Sequence, residues 1–255
     1  MSDYDFYFAI PSYKRAEKQK TLKLLESLGV PKDQIVMSVQ TQEDYAEYTR
    51  HGIKDRVFEL IYSPADKVSG NMNTLLNYFQ IGQKIVILED DINDICKLVD
   101  KVGGGKGIEP IKTKQELYDL VKYGFSLCKK HKTCAFGLSM TRNPFFMTHG
   151  YKTYALSDTG FYGIIITSIR FDEKLKLFQD TDMCAQVIKQ YGSFIVLNDY
   201  CARIDRFSEG GCKSSWDNDS TIVEMQNIIK KKHFDLFNFY DIHINQPIKL
   251  KRRKR

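Results

Sequence analysis

Short apolar segments alternate with helical segments through the first 91 residues of the chain. Strands are predicted at 6–10, 34–40, 57–64 and 84–91 because each contains a nearly continuous apolar run. The stretches between them repeat apolar residues at helical spacing and end at glycine. Strands without polar alternation are typical of a parallel sheet whose two faces are both covered. The pattern therefore predicts an α/β fold with a mostly parallel, Rossmann-like sheet flanked by helices.

The rest of the chain adds further helices and a less regular β region. Helices are predicted at 113–131, 180–192 and 220–233, and a strand at 193–204. The turn-rich segment 133–168 is typical of a second, smaller sheet of mixed strand direction. Neither an internal repeat nor a long linker divides the sequence, so we expect a single domain.

Basic residues concentrate at the C-terminus. The formal net charge is +6, and the closing run "KLKRRKR" holds six cations, so the remainder is close to neutral. We therefore divide the chain into a domain at 1–245 and a basic tail at 246–255. Such a tail can act as a nucleic-acid arm, as a nuclear address or simply as a solvated end, and these interpretations stay open.

Composition disfavours several classes of protein. No apolar run approaches the ~18–20 residues of a membrane span, and the N-terminus lacks the basic region of a signal peptide. The six cysteines are dispersed without a CxxC pair, which disfavours a zinc module and favours reduced thiols. We therefore expect a cytoplasmic protein without a membrane partner.

The segment "KIVILEDDIN" places Glu89, Asp90 and Asp91 directly after an apolar strand. Three adjacent carboxylates repel one another, so solvent or a cation has to compensate them. One interpretation is a solvated loop in which one aspartate caps the next turn. Another is a Mg²⁺ or Mn²⁺ site, since these ions prefer carboxylate oxygens, and a third is a nucleotidyltransferase or phosphatase type of site. Ligands gather at the carboxyl ends of parallel strands, which favours a metal that also holds a diphosphate.

A second acidic pair, Asp180 and Asp182, opens the helix predicted at 180–192. Either carboxylate can cap the helix and complement its dipole, which stabilises a helix by ~0.5–2 kcal/mol. Two caps are not needed, however. One of the two can therefore serve as a general base for an incoming hydroxyl group.

Together, the two acidic motifs resemble those of glycosyltransferases of the GT-A type. Glu89-Asp90-Asp91 stands at the position of the DxD motif, with Glu for the first Asp, and Gln179-Asp180 stands at the position of the xED motif, with Gln for Glu. The resemblance implies a GT-A-like single domain with a smaller sheet on the acceptor side.

An ordered series of segments gives a narrower resemblance, to the TET-associated glycosyltransferase family of phages. It extends from Phe8 to about Gly211 and comprises "AIPSYKRAEKQKTLKLLESLGV", "EDYAEY", "GNMNTLLNYF", "VILEDDI", "FDEKLKLFQDTDM" and "SEGG". The resemblance implies transfer of a sugar from a nucleotide donor to hydroxymethylated pyrimidines in DNA, inside a host cell.

The resemblance also implies roles for individual residues. The donor would be a UDP-sugar, with UDP-glucose first, held by Mn²⁺ or Mg²⁺ at Asp91 with Glu89 and His243 as further ligand candidates. Asp180 would be the general base, with Asp182 as the second acidic candidate. The donor contacts would come from Pro11, Ser12, Tyr13, Arg15, Asn71, Asn73, Glu89, Asp90, Gly210 and Gly211.

Structural explanations compete with several of these roles. Asn71 can be a helix N-cap, Arg15 an exposed turn residue, the glycine pair a tight turn and His243 a structural histidine between isoleucines. The aromatic segment 141–154 can stack on an acceptor base or belong to the core. Two other functions stay open: a GT-A enzyme with a protein, lipid or glycan acceptor, and an inactive DNA-binding module.

Overall fold

The fold is described from a computed structural model, which covers residues 4–65, 67–157, 160–204, 219–238 and 248–251. The strands are β1 (Tyr7–Ser12), β2 (Ile35–Val39), β3 (Glu59–Tyr62), β4 (Lys84–Leu88), β5 (Ile92–Asp100), β6 (Lys106–Pro110), β7 (Ala135–Leu138), β8 (Tyr151–Lys152), β9 (Phe161–Ile165), β10 (Ile195–Leu197), β11 (Tyr200–Ile204), β12 (Phe237–Asn238) and β13 (Lys249–Leu250). The helices are α1 (Lys20–Ser27), α2 (Gln42–Arg50), α3 (Val68–Tyr78), α4 (Lys114–His131), α5 (Gln179–Tyr191) and α6 (Asp219–Lys232), with short 3₁₀ turns at Lys32–Gln34 and Ile53–Arg56.

Eight strands form the main sheet in the order β3-β2-β1-β4-β9-β7-β10-β8. The first four are parallel, β9 runs antiparallel to both of its neighbours, and β10 runs parallel to β7. Strands β4, β7 and β10 therefore share one direction and end at the same edge. The mostly parallel sheet flanked by helices is confirmed.

Both faces of the sheet are covered, which explains the unbroken apolar strands. Along β1, Phe8 and Ile10 pack into one cluster with α1 and α4, whereas Tyr7 and Ala9 pack into the other with α3 and α5. Side chains of a strand alternate between faces, so a strand with two dry faces must be apolar throughout. Each large side chain buried in this way contributes about 1.5–3 kcal/mol.

Local signals fix several helix ends. Thr113 and Glu116 form a capping box at the start of α4, and the Thr41 side chain accepts a hydrogen bond from the Asp44 amide at the start of α2. Helix α5 ends at Gly192, whose φ of 76° suits glycine. The helices predicted at 113–131, 180–192 and 220–233 are present within one residue at each end.

Two expectations are corrected by the fold. The first strand, predicted at 6–10, extends through Pro11 to Ser12. Pro11 lies opposite Ser38, and its missing amide is tolerated because β4 pairs only with Tyr7–Ala9. The strand predicted at 193–204 is two strands, β10 and β11, which belong to different sheets.

The second sheet is small and antiparallel, in the order β11-β5-β6. The segment 133–168, which was predicted to form a smaller mixed sheet, instead supplies β7, β8 and β9 to the main sheet. Strand β5 begins at Ile92, immediately after the acidic triplet. Glu89, Asp90 and Asp91 therefore join the two sheets. Within the described residues, no helix combines the length and the apolar character needed to cross a membrane.

Candidate active site

The two acidic motifs lie at the same edge of the main sheet. The triplet follows the carboxyl end of β4. Helix α5 leads into β10, which has the direction of β4, so the helix runs back across the sheet and begins at the carboxyl edge. Its first turn contains Asp180 and Asp182. Residues about 90 positions apart in the sequence are thus placed at one edge by the topology.

Helix α1 holds the backbone of the triplet. The Thr21 amide donates a hydrogen bond of 3.3 Å to the Asp90 carbonyl, and the Ile92 amide donates one of 3.0 Å to the Thr21 hydroxyl. That hydroxyl in turn donates to the Glu89 carbonyl. The polar backbone between the two sheets is therefore satisfied by one side chain and one helix end.

Both carboxylate oxygens of Asp90 accept hydrogen bonds from protein side chains. Its carboxylate is buried and accepts hydrogen bonds from the Ser12 hydroxyl and from the Arg15 guanidinium. Both partners come from β1 and the loop that follows it. The carboxylate therefore ties the first loop to the triplet, and its contact with the donor stays a prediction. Arg15, expected to be exposed or at the donor, is itself only 8% exposed.

The two carboxylate oxygens of Asp91 differ in their contacts. Its Oδ2 lies 3.1 Å from Arg15 Nη1, whereas its Oδ1 is buried and accepts no hydrogen bond from any residue that the structure describes. Burial, with a smaller contribution from the Asp90 charge, raises the pKa of Asp91 to about 6. A buried carboxylate oxygen without a donor is costly, and a cation would remove that cost.

The divalent-metal prediction depends on these oxygens. Asp91 Oδ1 fits one ligand of a hard cation. Among the described residues, however, no group of three or more His, Cys, Asp or Glu side chains is arranged to hold a metal. The protein part of such a site would therefore be sparse, and other ligands would have to come from a bound molecule.

A buried network behind Ser12 and Arg15 was not expected from the sequence. Tyr48 and Gln19 are fully buried there. The Tyr48 hydroxyl shares a hydrogen bond of 2.6 Å with the Ser12 hydroxyl and accepts one of 3.0 Å from the Arg15 amide. Gln19 Nε2 donates to Ser12 Oγ at 2.8 Å and to the Arg15 carbonyl at 2.9 Å. Burial raises the pKa of Tyr48, so its hydroxyl stays protonated.

Glu89 turns toward β9. Its amide donates to the Gly160 carbonyl at 2.8 Å, and its side chain packs so closely that a Cβ on Gly160 would lie 2.8 Å from the Glu89 carboxyl group. Gly160 has a φ of 60°. Only glycine fits both the backbone conformation and the contact.

Asp180 is buried in the first turn of α5. Cys184 lies one turn further on the same helix face, and its thiol reaches the Ser157 carbonyl at 3.6 Å. Ser157 lies three residues before Gly160, which packs on Glu89. Phe178, directly before the helix, has a φ of 62°, a strained value for a bulky residue.

Asp182 has a different role from Asp180. Its carboxylate is completely buried, and it accepts hydrogen bonds from His233 Nε2 and Gln186 Nε2, both at 2.7 Å. Lys232 Nζ lies 2.8 Å away. Burial alone would raise the pKa of Asp182, but the bonds from His233 and Lys232 outweigh it and lower that pKa. Asp182 therefore joins α5 to the end of α6, and a catalytic role for it stays a prediction.

The two asparagines of α3 also serve the fold. Asn71 Nδ2 lies 3.3 Å from both the Ser12 and Ser38 carbonyls, so it joins the ends of β1 and β2 and is not an N-cap. Asn73 Nδ2 donates to the Phe171 carbonyl, and Asn73 Oδ1 accepts from the Phe171 amide. The Asn73 amide therefore fixes the segment before α5, and its role as a donor contact stays a prediction.

A cavity of about 460 Å³ opens beside the first loop, at the carboxyl ends of β2 and β3. Among the predicted donor residues that the structure describes, only Tyr13 lines it. Gln40 also lines it, and its Nε2 is buried and donates no hydrogen bond to any described residue. Sequence reasoning did not single out Gln40 as a site residue. The signal that could have found it is its place directly after the carboxyl end of β2. The further lining residues are Thr41, Gln42, Glu43, Tyr62, Pro64 and Ala65.

Three predicted site residues lie outside the described part of the chain. Gly210, Gly211 and His243 fall in the segments 205–218 and 239–247, as does the predicted domain boundary at 245–246. Their assignments stay predictions.

Comparison with known proteins identifies the fold. No protein-family model matches the chain, and no curated protein does. Among solved structures, a mannosyltransferase of Pyrobaculum calidifontis in complex with GDP-Man and Mn²⁺ is similar with a TM-score of 0.59 and 11% identity, over 89% of this chain and 64% of that one. The chain thus spans less than two thirds of that enzyme.

Two further structures have the same fold. Residues 1–349 of TarS from S. aureus, in complex with UDP, match with a TM-score of 0.51 and 13% identity over 89% of this chain and 72% of that one. Glucosyl-3-phosphoglycerate synthase of Mycobacterium tuberculosis, with Mn²⁺ and UDP-glucose, gives 0.53 and 7% over 89% and 78%. The fold of this chain is that of GT-A glycosyltransferases.

Proposed function

We propose that this protein is a glycosyltransferase that moves a sugar from a UDP-sugar to the hydroxyl group of 5-hydroxymethylpyrimidines in DNA. One observation carries the enzymatic part of the proposal. A cavity of about 460 Å³ lies beside the loop that follows β1. Arg15 of the same loop contacts the buried carboxylates of Asp90 and Asp91. Of their four oxygens, Asp91 Oδ1 accepts no hydrogen bond from the described residues.

The cavity suits the nucleoside of the donor. Its volume falls within the roughly 300–1,000 Å³ of small-molecule sites. The Tyr13 ring offers a stacking surface for a base, and the unused Gln40 amide offers a buried donor for a base carbonyl. All three structural neighbours were solved with a nucleotide or nucleotide sugar, which supports a donor of this class; UDP-glucose is the first to test.

Asp91 would hold the divalent ion through Oδ1, with the donor diphosphate as the other main ligand. When bound, the ion supplies Lewis-acid stabilisation of the negative charge on the leaving diphosphate. Two of the neighbours contain Mn²⁺. Glu89, half-buried against Gly160, and His243 stay further ligand candidates.

Asp180 would take the proton of the acceptor hydroxyl as that oxygen forms a bond to the anomeric carbon. The bond from the anomeric carbon to the diphosphate breaks with its electron pair on the diphosphate, so UDP leaves and configuration inverts. Asp180 suits this role because it begins α5 at the same sheet edge as Asp91, and Asp182 beside it is occupied by His233 and Lys232. If configuration is retained, Asp180 would instead position the sugar.

The acceptor side would lie at the loop after β7. Phe145 and Phe146 are 81% and 67% exposed there, with ring centroids 5.1 Å apart, and Arg142 is exposed beside them. Exposed aromatic rings bind unstacked bases, and an arginine binds phosphate. A target base in duplex DNA must leave the stack before reaction. The ordered resemblance to the phage family favours this acceptor.

A glycan, protein or lipid acceptor is the second candidate. The observation that favours it is the near-neutral charge of the chain once the six terminal cations are set aside, since DNA-binding surfaces are usually basic. The same aromatic rings can pack against a sugar ring.

The test is mass spectrometry of nucleosides after incubation of the protein with Mn²⁺, a panel of UDP-sugars and 5-hydroxymethylated DNA. We expect a hexose mass on the modified nucleoside, and none with unmodified DNA or with the Asp180→Asn variant. Transfer to a glycan but not to DNA would reject the DNA acceptor alone. Lack of transfer and of donor hydrolysis with every UDP-sugar would reject the enzymatic assignment.

A further inference from the structure

We propose that Arg15 is a fixed counter-cation that keeps the Asp90–Asp91 pair from binding a divalent ion tightly on its own, so that the ion is held only together with a nucleoside diphosphate. The inference rests on the proposed function and deepens it. It concerns the order in which the site is filled. It also gives Arg15 a positioning role, because the guanidinium acts through the two carboxylates.

Arg15 cancels half of the formal charge of the buried carboxylate pair. Asp90, Asp91 and Arg15 are all buried, with exposures of 5–8%. One guanidinium faces two carboxylates, so the cluster has a formal charge of −1 and not −2. Arg15 Nη1 contacts Asp90 Oδ1 and lies 3.1 Å from Asp91 Oδ2. A divalent ion at Asp91 Oδ1 would therefore meet a buried positive charge on the far side of the same carboxylate.

The position of Arg15 is fixed by contacts of its backbone. Both backbone groups of Arg15 are bonded to buried side chains: its amide donates to the Tyr48 hydroxyl at 3.0 Å, and its carbonyl accepts from Gln19 Nε2 at 2.9 Å. Lys14 before it has a φ of 54°, a turn conformation held by this network. The backbone that carries the guanidinium is therefore fixed, and the guanidinium itself is buried against both carboxylates. We expect it to stay in the site when an ion arrives.

The described residues offer a divalent ion few ligands. Asp91 offers only Oδ1, since Oδ2 faces Arg15. The described residues contain no group of three side chains arranged for a metal. A divalent ion needs about six oxygen ligands, so most must come from water or from the donor. A diphosphate supplies both oxygens and the negative charge that Arg15 has cancelled.

Because Arg15 cancels part of the negative charge and the protein offers few ligands, binding of the ion and binding of the nucleotide should be strongly coupled. By linkage, UDP must raise Mn²⁺ affinity by the same factor by which Mn²⁺ raises UDP affinity. Removing the Arg15 charge should strengthen Mn²⁺ binding without nucleotide and reduce the coupling. We expect a change of roughly tenfold, within the 5–150-fold range of coupling between sites.

The experiment measures free Mn²⁺ by electron paramagnetic resonance, with and without UDP, on the full chain. The variants are Arg15→Gln, which removes the charge but keeps a donor for Asp90, and Arg15→Lys, which keeps the charge. Arg56→Gln is the matched control, because Arg56 pairs with Glu26 at the surface just before β3 begins, at the opposite edge of the sheet. Only Arg15→Gln should bind Mn²⁺ more tightly without UDP.

Each result decides between outcomes. Equal nucleotide-free Mn²⁺ affinity in the wild type and Arg15→Gln, with UDP coupling intact in both, overturns this inference and leaves the proposed function standing. Failure of the wild type to bind Mn²⁺ even with UDP overturns both. If Arg15→Gln is unfolded without metal, Mn²⁺ alone should restore its circular dichroism spectrum, and failure to do so also overturns the inference.

Discussion

His233 Nε2 lies 2.7 Å from Asp182 Oδ1, and both side chains are almost completely buried. Lys232 reaches the same oxygen at 2.8 Å. This contact joins the first turn of α5 to the residues that end α6. Two aspartates separated by a single residue thus have separate roles: Asp182 holds the helix that presents Asp180.

Asp182→Asn should destabilise the protein by about 3 kcal/mol, because it removes one partner of a buried charged cluster. The measurement is chemical denaturation at pH 7. Asp235→Asn is the matched control, since Asp235 pairs with Lys189 at the surface and such pairs contribute about 0–1 kcal/mol. Equal losses in the two variants would contradict the structural role of Asp182.

Asp180→Asn should abolish most of the transfer while the free energy of unfolding stays within about 1 kcal/mol. A positioned general base contributes roughly 10²–10⁴-fold to rate, so we expect kcat to fall by that factor with little change in KM. Steady-state kinetics and denaturation on the same preparation check both parts. Full activity in Asp180→Asn would remove Asp180 from the mechanism.

Asp91→Asn should stabilise the metal-free protein above pH 6. The pKa of Asp91 is raised from 3.8 to about 6. The folded protein therefore binds an extra proton between these values, and its relative stability falls as pH rises through about 6. The neutral amide avoids that loss, so we expect a gain of roughly 1–3 kcal/mol at pH 8 and little at pH 4. Denaturation at both pH values measures it, and a loss of stability at pH 8 would contradict burial of the charged carboxylate as the cause.

The opposite pH dependence is expected of Asp182. Its pKa lies below the ordinary value, so its contribution to stability is present above the unfolded pKa of about 3.9 and is lost as pH falls below it. Asp182→Asn should therefore flatten the stability profile on the acid side. Thermal melts from pH 6 to pH 2.5 check this, with Asp235→Asn beside them.

Phe145→Ala and Phe146→Ala should weaken acceptor binding and leave UDP binding unchanged. Stacking of one base on an aromatic ring contributes about 1–3 kcal/mol, so each variant should lose roughly 5–150-fold in affinity for hydroxymethylated DNA. Phe234→Ala is the matched control, because Phe234 is 70% exposed at the end of α6. Fluorescence anisotropy with labelled DNA measures the loss; an equal loss in Phe234→Ala would indicate nonspecific binding.

Much of the fold was predictable because its signals are local. The unbroken apolar runs of β1, β2 and β4 predicted a covered parallel sheet, and Gly192 predicted the end of α5. The acidic triplet was predicted for the carboxyl edge because strand direction alone decides at which edge a strand ends, whereas the place of Asp180 at that edge follows only from the topology. The predictable features depend on neighbours a few residues away.

The hydrogen-bond and ion-pair partners of the buried polar side chains were not predictable, because these partners lie far apart in the sequence. Asp90 meets Arg15 across 75 positions, Asn73 meets Phe171 across 98, and Asp182 meets His233 across 51. No local pattern distinguishes a carboxylate that meets a buried cation from one that faces a ligand. Gln19 and Tyr48 show the same limit, since each resembles an ordinary residue of a helical segment until packing places it behind Ser12.

The sequence by itself determined the alternation of strands and helices in the first 91 residues. It also determined the edge of the sheet at which the acidic triplet lies, since periodicity and strand direction depend on local chemistry. Only the tertiary structure decided which acids are already neutralised and which are not. The energy of a buried charge is set by the groups around it in space, and those groups assemble only when the chain has folded.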